Sequence, residues 1–101
     1  MKYRMNQSYT DACIISLIVE TTGQCGGDAG HGGETMVRIE DSGAACLGAC
    51  IETHRGARLR DDDPRAVELW AYGDAELRQL AQALEDAGRF LRRVCAMRDD
   101  A

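Results

Sequence analysis

The stretch "TGQCGGDAGHGGET", Thr22 to Thr35, places six glycines between positions 23 and 33. At that density neither a helix nor a regular strand is stable, so the run must be an irregular connection between whatever precedes and follows it. Before it, "ACIISLIVE" (12–20) is rich in β-branched residues and reads as a central strand. After it, "TMVRIE" (35–40) alternates Thr35, Val37 and Ile39 against Met36, Arg38 and Glu40, the pattern of a half-exposed strand. The glycines therefore link strand to strand. Nucleotide-binding glycine loops lead into a helix, whose free amides hold the phosphate. Here that helix is missing, as is a Walker lysine. A nest of backbone amides around an anion remains open to a loop of this kind.

Further along, Asp41-Ser42-Gly43 reads as a turn, and "AACLGACIE" (44–52) alternates Ala45, Leu47, Ala49 and Ile51 as a third strand would, although its alanines would also suit a short helix. "THRGARLRDDDPR" (53–65) is a solvated loop holding the single proline. "AVELWAYG" (66–73) is a fourth strand, with Val67, Leu69 and Ala71 on one side and Trp70 and Tyr72 on the other. From Ala75, apolar positions at Leu77, Leu80, Ala81, Leu84, Ala87, Gly88, Leu91, Val94 and Cys95 follow the helical period. Gly73-Asp74 supplies the helix entry, with Asp74 placed to cap the free amides and Glu76 to suit the helix dipole. Arg89, Arg92, Arg93 and Arg98 sit at the end where cations are favoured. Gly88 weakens the middle of this helix by about 1 kcal/mol against alanine, and a strand packed closely there would account for it.

The expected architecture is α+β: a four-stranded, mostly antiparallel sheet (ββββα) with one long C-terminal helix packed on one face. Residues 1–101 form one domain, with 1–10 and 99–101 frayed. The sheet face away from the helix presents Trp70, Tyr72, Met36 and Arg38, a surface for a partner or a homodimer. In the opposite arrangement Trp70 and Tyr72 lie under the helix and Val67 and Leu69 face out.

Composition narrows the function. A chain of 101 residues has one modest core. Its net charge of −5, with one Lys against eleven Arg, argues against direct nucleic-acid binding through a basic surface. The longest apolar run, around Cys13 to Val19, is far short of the roughly 20 residues of a membrane span, and no secretory signal is legible. A cytoplasmic protein is expected, with Cys13, Cys25, Cys46, Cys50 and Cys95 as reduced thiols, mostly small core fillers.

Three chemistries fit the glycine run. Cys25, Asp28, His31 and Glu34 recur every three residues, and with Cys46 and Cys50 they supply zinc-ligand types. Every-three spacing, however, converges on a helix, which the glycines forbid. Cys25, Asp28 and His31 are thus the metal candidates of a small metal- or ligand-binding module. Cys25 with His31 or His54, oriented by Asp28, would make a nucleophile and base, but a small sheet with one helix offers little concave volume. A non-enzymatic protein without a cofactor is expected. The third reading is an ordered loop that presents backbone and polar groups to a protein, through Gly26, Gly27, Asp28, His31 and Glu34, with Asp28 and His31 either tying the loop internally or contacting the partner. Asp61-Asp62-Asp63 is a solvated cluster, or an acidic hook for an arginine-lined groove, and with Trp70 it completes the partner-binding set.

The combination of "ETTG..GGDAGHGGET.VRIE" with "GDAELRQLAQAL" some thirty residues later resembles small proteins encoded by phages, prophages and other mobile elements of proteobacteria, over most of residues 16 to 93. Such accessory proteins include inhibitors of bacterial defence, notably type I anti-CRISPR proteins. The resemblance implies a cytoplasmic, non-enzymatic binder of the host's Cas surveillance complex, a nucleic-acid-binding assembly. It assigns no residue a role.

Overall fold

A computed structural model describes residues 1–97. In chain order the elements are β1 (Tyr3–Thr10), β2 (Ile14–Thr21), β3 (Glu34–Gly43), β4 (Ala49–Glu52), β5 (Arg58–Asp61), β6 (Ala66–Tyr72) and α1 (Asp74–Ala96). β1, β2, β3 and β6 form a four-stranded antiparallel sheet in that order, and β4 pairs with β5 in a separate hairpin. The expected α+β fold, a four-stranded antiparallel sheet with one C-terminal helix, is the observed one.

Its membership differs from the sequence reading. Residues 1–10, expected to fray, supply edge strand β1, which pairs with β2 along its whole length. All eight β1 residues are exposed, so the strand is held by its ladder rather than by burial. The segment read as a third strand, 44–52, leaves the sheet: only Ala49–Glu52 is extended, and it pairs with Arg58–Asp61 out of the supposed loop 53–65. Arg98 and residues 99–101 lie outside the described residues.

The pleat sorts the sheet into two faces. One carries Val37 and Ile39 opposite Leu69 and Val67, with Leu17 and Val19 beside them. The other carries Met36 opposite Trp70, Arg38 opposite Glu68 and Glu34 opposite Tyr72. Leu84 of α1 lines one cleft with Val37, Val67 and Leu69, so the helix stands over the first face and Trp70 and Tyr72 are left on the free one.

Coverage of the helix face is thin. Among the described residues Met36, Val37 and Ala45 are the buried hydrophobic side chains, Ser16 and Thr35 the buried polar ones, and α1 contains no buried residue. Ser16 shares hydrogen bonds with Ser8 and Ser42 at 3.0 and 2.6 Å, and Thr35 with Thr21 at 2.8 Å, so both buried hydroxyls are satisfied. The helix approaches the sheet through β6, where Leu77 and Leu80 are half-buried, and then runs past it. Leu84, Leu91 and Val94 are 45, 59 and 45 % exposed. Nothing lies within 4 Å of a Cβ built at Gly88, so no strand packs there. The radius of gyration is 15.8 Å, against about 13 Å for a compact chain of this length. The cysteines are not core fillers: Cys13 is half-buried and the other four are exposed.

Candidate functional site

Residues 22–33 connect β2 to β3, and they fold onto the start of α1. A helix leaves its first amides without partners, and the sequence placed Asp74 as their cap. The bonds run differently. Gly73 is the N-cap residue and gives no side-chain bond. Instead the glycine run caps the helix from outside: Asp74 N donates to the Gly27 carbonyl at 2.8 Å, and Ala75 N donates to Asp28 Oδ1 at 2.6 Å.

The helix caps the loop in return. Asp74 Oδ1 and Oδ2 accept from Cys25 N and Gly26 N, each at 2.9 Å, and the Glu76 carboxylate accepts from Ala29 N at 3.2 and 3.3 Å. Gly30 N donates to the Tyr72 carbonyl, Gly73 N to the Gly33 carbonyl, and Arg78 Nη1 to Gln24 Oε1. The converging amides of an anion nest are therefore present, and the anions in it are the chain's own carboxylates. A second anion at Cys25, Gly26 or Ala29 would have to displace Asp74 or Glu76. Three carboxylates, Asp28, Asp74 and Glu76, also lie where the helix dipole favours negative charge.

Glycine is required by space as much as by conformation. Gly33 is buried, and a Cβ there would meet Thr22 Oγ1 and stand 2.7 Å from the Gly23 carbonyl oxygen. Gly32 has φ +97, and a Cβ there would lie 2.6 Å from the Gly26 carbonyl oxygen. The loop is thus a packed object whose layers are backbone.

These bonds sort the candidate residues. Asp28 is an internal tie, through Ala75 N and, by its carbonyl, His31 N at 3.1 Å. Gly27 is another, while Gly26 gives its amide to Asp74. The His31 side chain is exposed and hydrogen-bonds to none of the described residues. Cys25 is exposed, its thiol 3.6 Å from the Gly23 carbonyl oxygen. Among the described residues no three His, Cys, Asp or Glu side chains are grouped as a metal site would need, and Cys25, Asp28 and His31 do not converge. His54 lies in the turn between β4 and β5.

The free sheet face gathers other members of the predicted set. Trp70 and Tyr72 stack with ring centroids 6.5 Å apart and planes 18° from parallel. Trp70 Nε1 donates to Glu68 Oε1 at 3.1 Å, the other oxygen of Glu68 accepts from Arg38 Nη1 at 2.6 Å, and Arg38 Nε donates to Glu40 Oε1 at 2.6 Å. Glu34, cross-strand partner of Tyr72, puts this aromatic pair beside the loop. Asp61, Asp62 and Asp63 do not join it. They precede β6 at the Ala66 end, about 20 Å along the strand from Tyr72.

Hydrogen bonds from Trp70 and then Arg38 hold the Glu68 carboxyl below its ordinary value of 4.5, and those that Arg38 donates to Glu40 and then Glu68 raise its guanidinium. A carboxyl lowered in the folded chain adds stability above its unfolded pKa, and that contribution is lost as pH falls through the folded value. Trp70 is the single tryptophan and reports it. Its emission should be flat above about pH 5 and change with a midpoint below that of a free glutamate, a transition absent in Glu68→Gln; a midpoint at or above 4.5 would contradict the bonding.

Among the described residues no helix is long and apolar enough to cross a membrane. Comparison with known protein families, with curated proteins and with solved structures finds no match for this chain.

Proposed function

We propose that the chain is a protein-binding inhibitor without chemistry of its own, acting in the host cytoplasm by occluding a surface of a nucleic-acid-binding defence assembly. The resemblance to phage-encoded anti-defence proteins makes the Cas surveillance complex that partner. The observation that carries the reading is the Trp70–Tyr72 pair on the free sheet face. Aromatic side chains fixed before binding lose little freedom on contact and tend to dominate interface energies. Trp70 is held by Glu68, which Arg38 holds in turn, and Glu34 and the exposed His31 add a polar rim at the loop end. The net charge of −5 favours encounter with a basic partner surface.

The test uses the purified chain and a purified type I Cas surveillance complex, read by interferometry and by the complex's DNA binding. The wild-type chain is expected to bind and to block DNA. Trp70→Ala with Tyr72→Ala should weaken binding about 100-fold, the scale of a two-residue hot spot, with unchanged circular dichroism. A wild-type chain that does not bind, or a double variant that binds equally well, overturns the proposal.

A further inference from the structure

The helix face of the sheet and the far half of α1 are each half of an interior. Beside Leu84 lies an open apolar cleft of about 730 Å³, floored by Val37, Ile39, Val67 and Leu69 and walled by Ile51 and Leu59 of the β4–β5 hairpin. Past Leu84 the helix continues its apolar stripe through Leu91 and Val94 with nothing beneath it. We propose that residues 87–97 of α1 lie in this cleft of a second copy of the chain, two copies exchanging these arms about a two-fold axis.

Area supports a second copy. The chain exposes 7945 Å², whereas a folded monomer of 11.0 kDa exposes about 5600 Å². The excess, about 2300 Å² per chain, exceeds the roughly 800 Å² that each partner of an ordinary complex buries and falls in the range of obligate dimers. A monomer would keep Leu84, Leu91 and Val94 in water.

Charge supports the same occupant. Residues 87–97 carry Arg89, Arg92 and Arg93 and no acidic residue. Arg89 pairs with Glu85 of its own helix, while Arg92 and Arg93 have no ion pair among the described residues. The cleft is edged by Asp61, with Asp62 and Asp63 following it. Asp62 is engaged by Arg60, whereas Asp61 and Asp63 have no cationic partner among the described residues. Glu68, which also lines the cleft, is held by Arg38, so the arm's unpaired arginines meet Asp61 as the lining carboxylate without a cationic partner among the described residues. Gly88 gains a reason as well: it lies on the stripe with open space above it, and a residue that weakens a helix there suits close approach of another backbone.

The inference does not rest on the inhibitor reading, because it uses the opposite face of the sheet. Light scattering on the full chain should give twice 11.0 kDa at micromolar concentration. Leu91→Glu with Val94→Glu should halve that mass while keeping the sheet signal in circular dichroism, both side chains being exposed in the single chain. Trp70→Ala should leave the mass unchanged. Cross-linking fixes the geometry. In a refolded mixture of chains carrying Cys50 or Cys95 as the sole cysteine, a short bis-maleimide should join one of each, since Cys50 lines the cleft and Cys95 lies on the arm. A wild-type monomer, a dimer lost with Trp70 rather than with Leu91 and Val94, or no mixed cross-link overturns the proposal.

Discussion

Gly33→Ala should unfold the protein at ordinary growth temperature or lower its melting temperature by about 15 °C, an effect of roughly 3 kcal/mol in a chain of this size. The added methyl would meet Thr22 Oγ1 and the Gly23 carbonyl oxygen, and neither can withdraw. Thr22 Oγ1 accepts from Glu34 N at 3.0 Å, and Thr22 N donates to the Glu34 carbonyl at 3.0 Å, bonds that close the β2–β3 pair next to the loop. Moving that oxygen opens the end of the sheet, and moving the Gly33 carbonyl breaks its bond from Gly73 N at 2.9 Å. Gly30→Ala is the control. Its φ is +95, so alanine is strained there by about 1–2 kcal/mol, yet nothing lies within 4 Å. If Gly30→Ala proves the more damaging of the two in thermal melts, the loop is not packed as described.

Asp74→Ala should cost about 2–3 kcal/mol, seen as a fall in melting temperature of about 10 °C or more at fixed protein concentration. One side chain here serves two backbone amides 49 and 48 residues away, and hydrogen bonds to a charged acceptor are stronger than neutral ones. Its loss removes the loop's largest hold on α1, because Arg78 and Glu76 remain but bind elsewhere along the run. Asp74→Asn keeps one accepting oxygen and should lose about half as much. Asp28→Ala removes a helix cap and should cost about 1 kcal/mol alone. Combined with Asp74→Ala it should fall short of additivity, since both tie the same two segments. An Asp74→Ala protein as stable as the wild type would show that Asp74 does not buckle the loop to the helix.

What the sequence revealed follows from where burial is asymmetric. Strands β2, β3 and β6 were legible because Val37, Ile39, Val67 and Leu69 alternate with polar or aromatic residues, and α1 because Leu77 to Val94 keep the helical period. The alternation also placed Trp70, Tyr72, Met36 and Arg38 together on one face. β1 was missed because "YRMNQSYT" buries neither side and is ordered by backbone pairing, which leaves no hydrophobic pattern. The β4–β5 hairpin was missed for the same reason, its four-residue strands being exposed apart from half-buried Ala49. The period of α1 showed which residues share a stripe but not how much of that stripe the chain itself covers. The glycine loop's partner was hidden by distance along the chain: Asp28 bonds Ala75 across 47 residues. Local capping rules assigned Asp74 to its own helix, whereas two loop amides compete for its oxygens and take them.

The glycine run is a buckle to α1 that fills its own anion nest with the chain's carboxylates. Amide hydrogen exchange tests it most directly. Cys25, Gly26, Ala29 and Ala75 should exchange far more slowly than free glycine-rich peptide, and in Asp74→Ala the protection of Cys25 and Gly26 should vanish while the β2–β3 amides stay slow. Loop amides exchanging at free-peptide rates in the wild-type chain would contradict it.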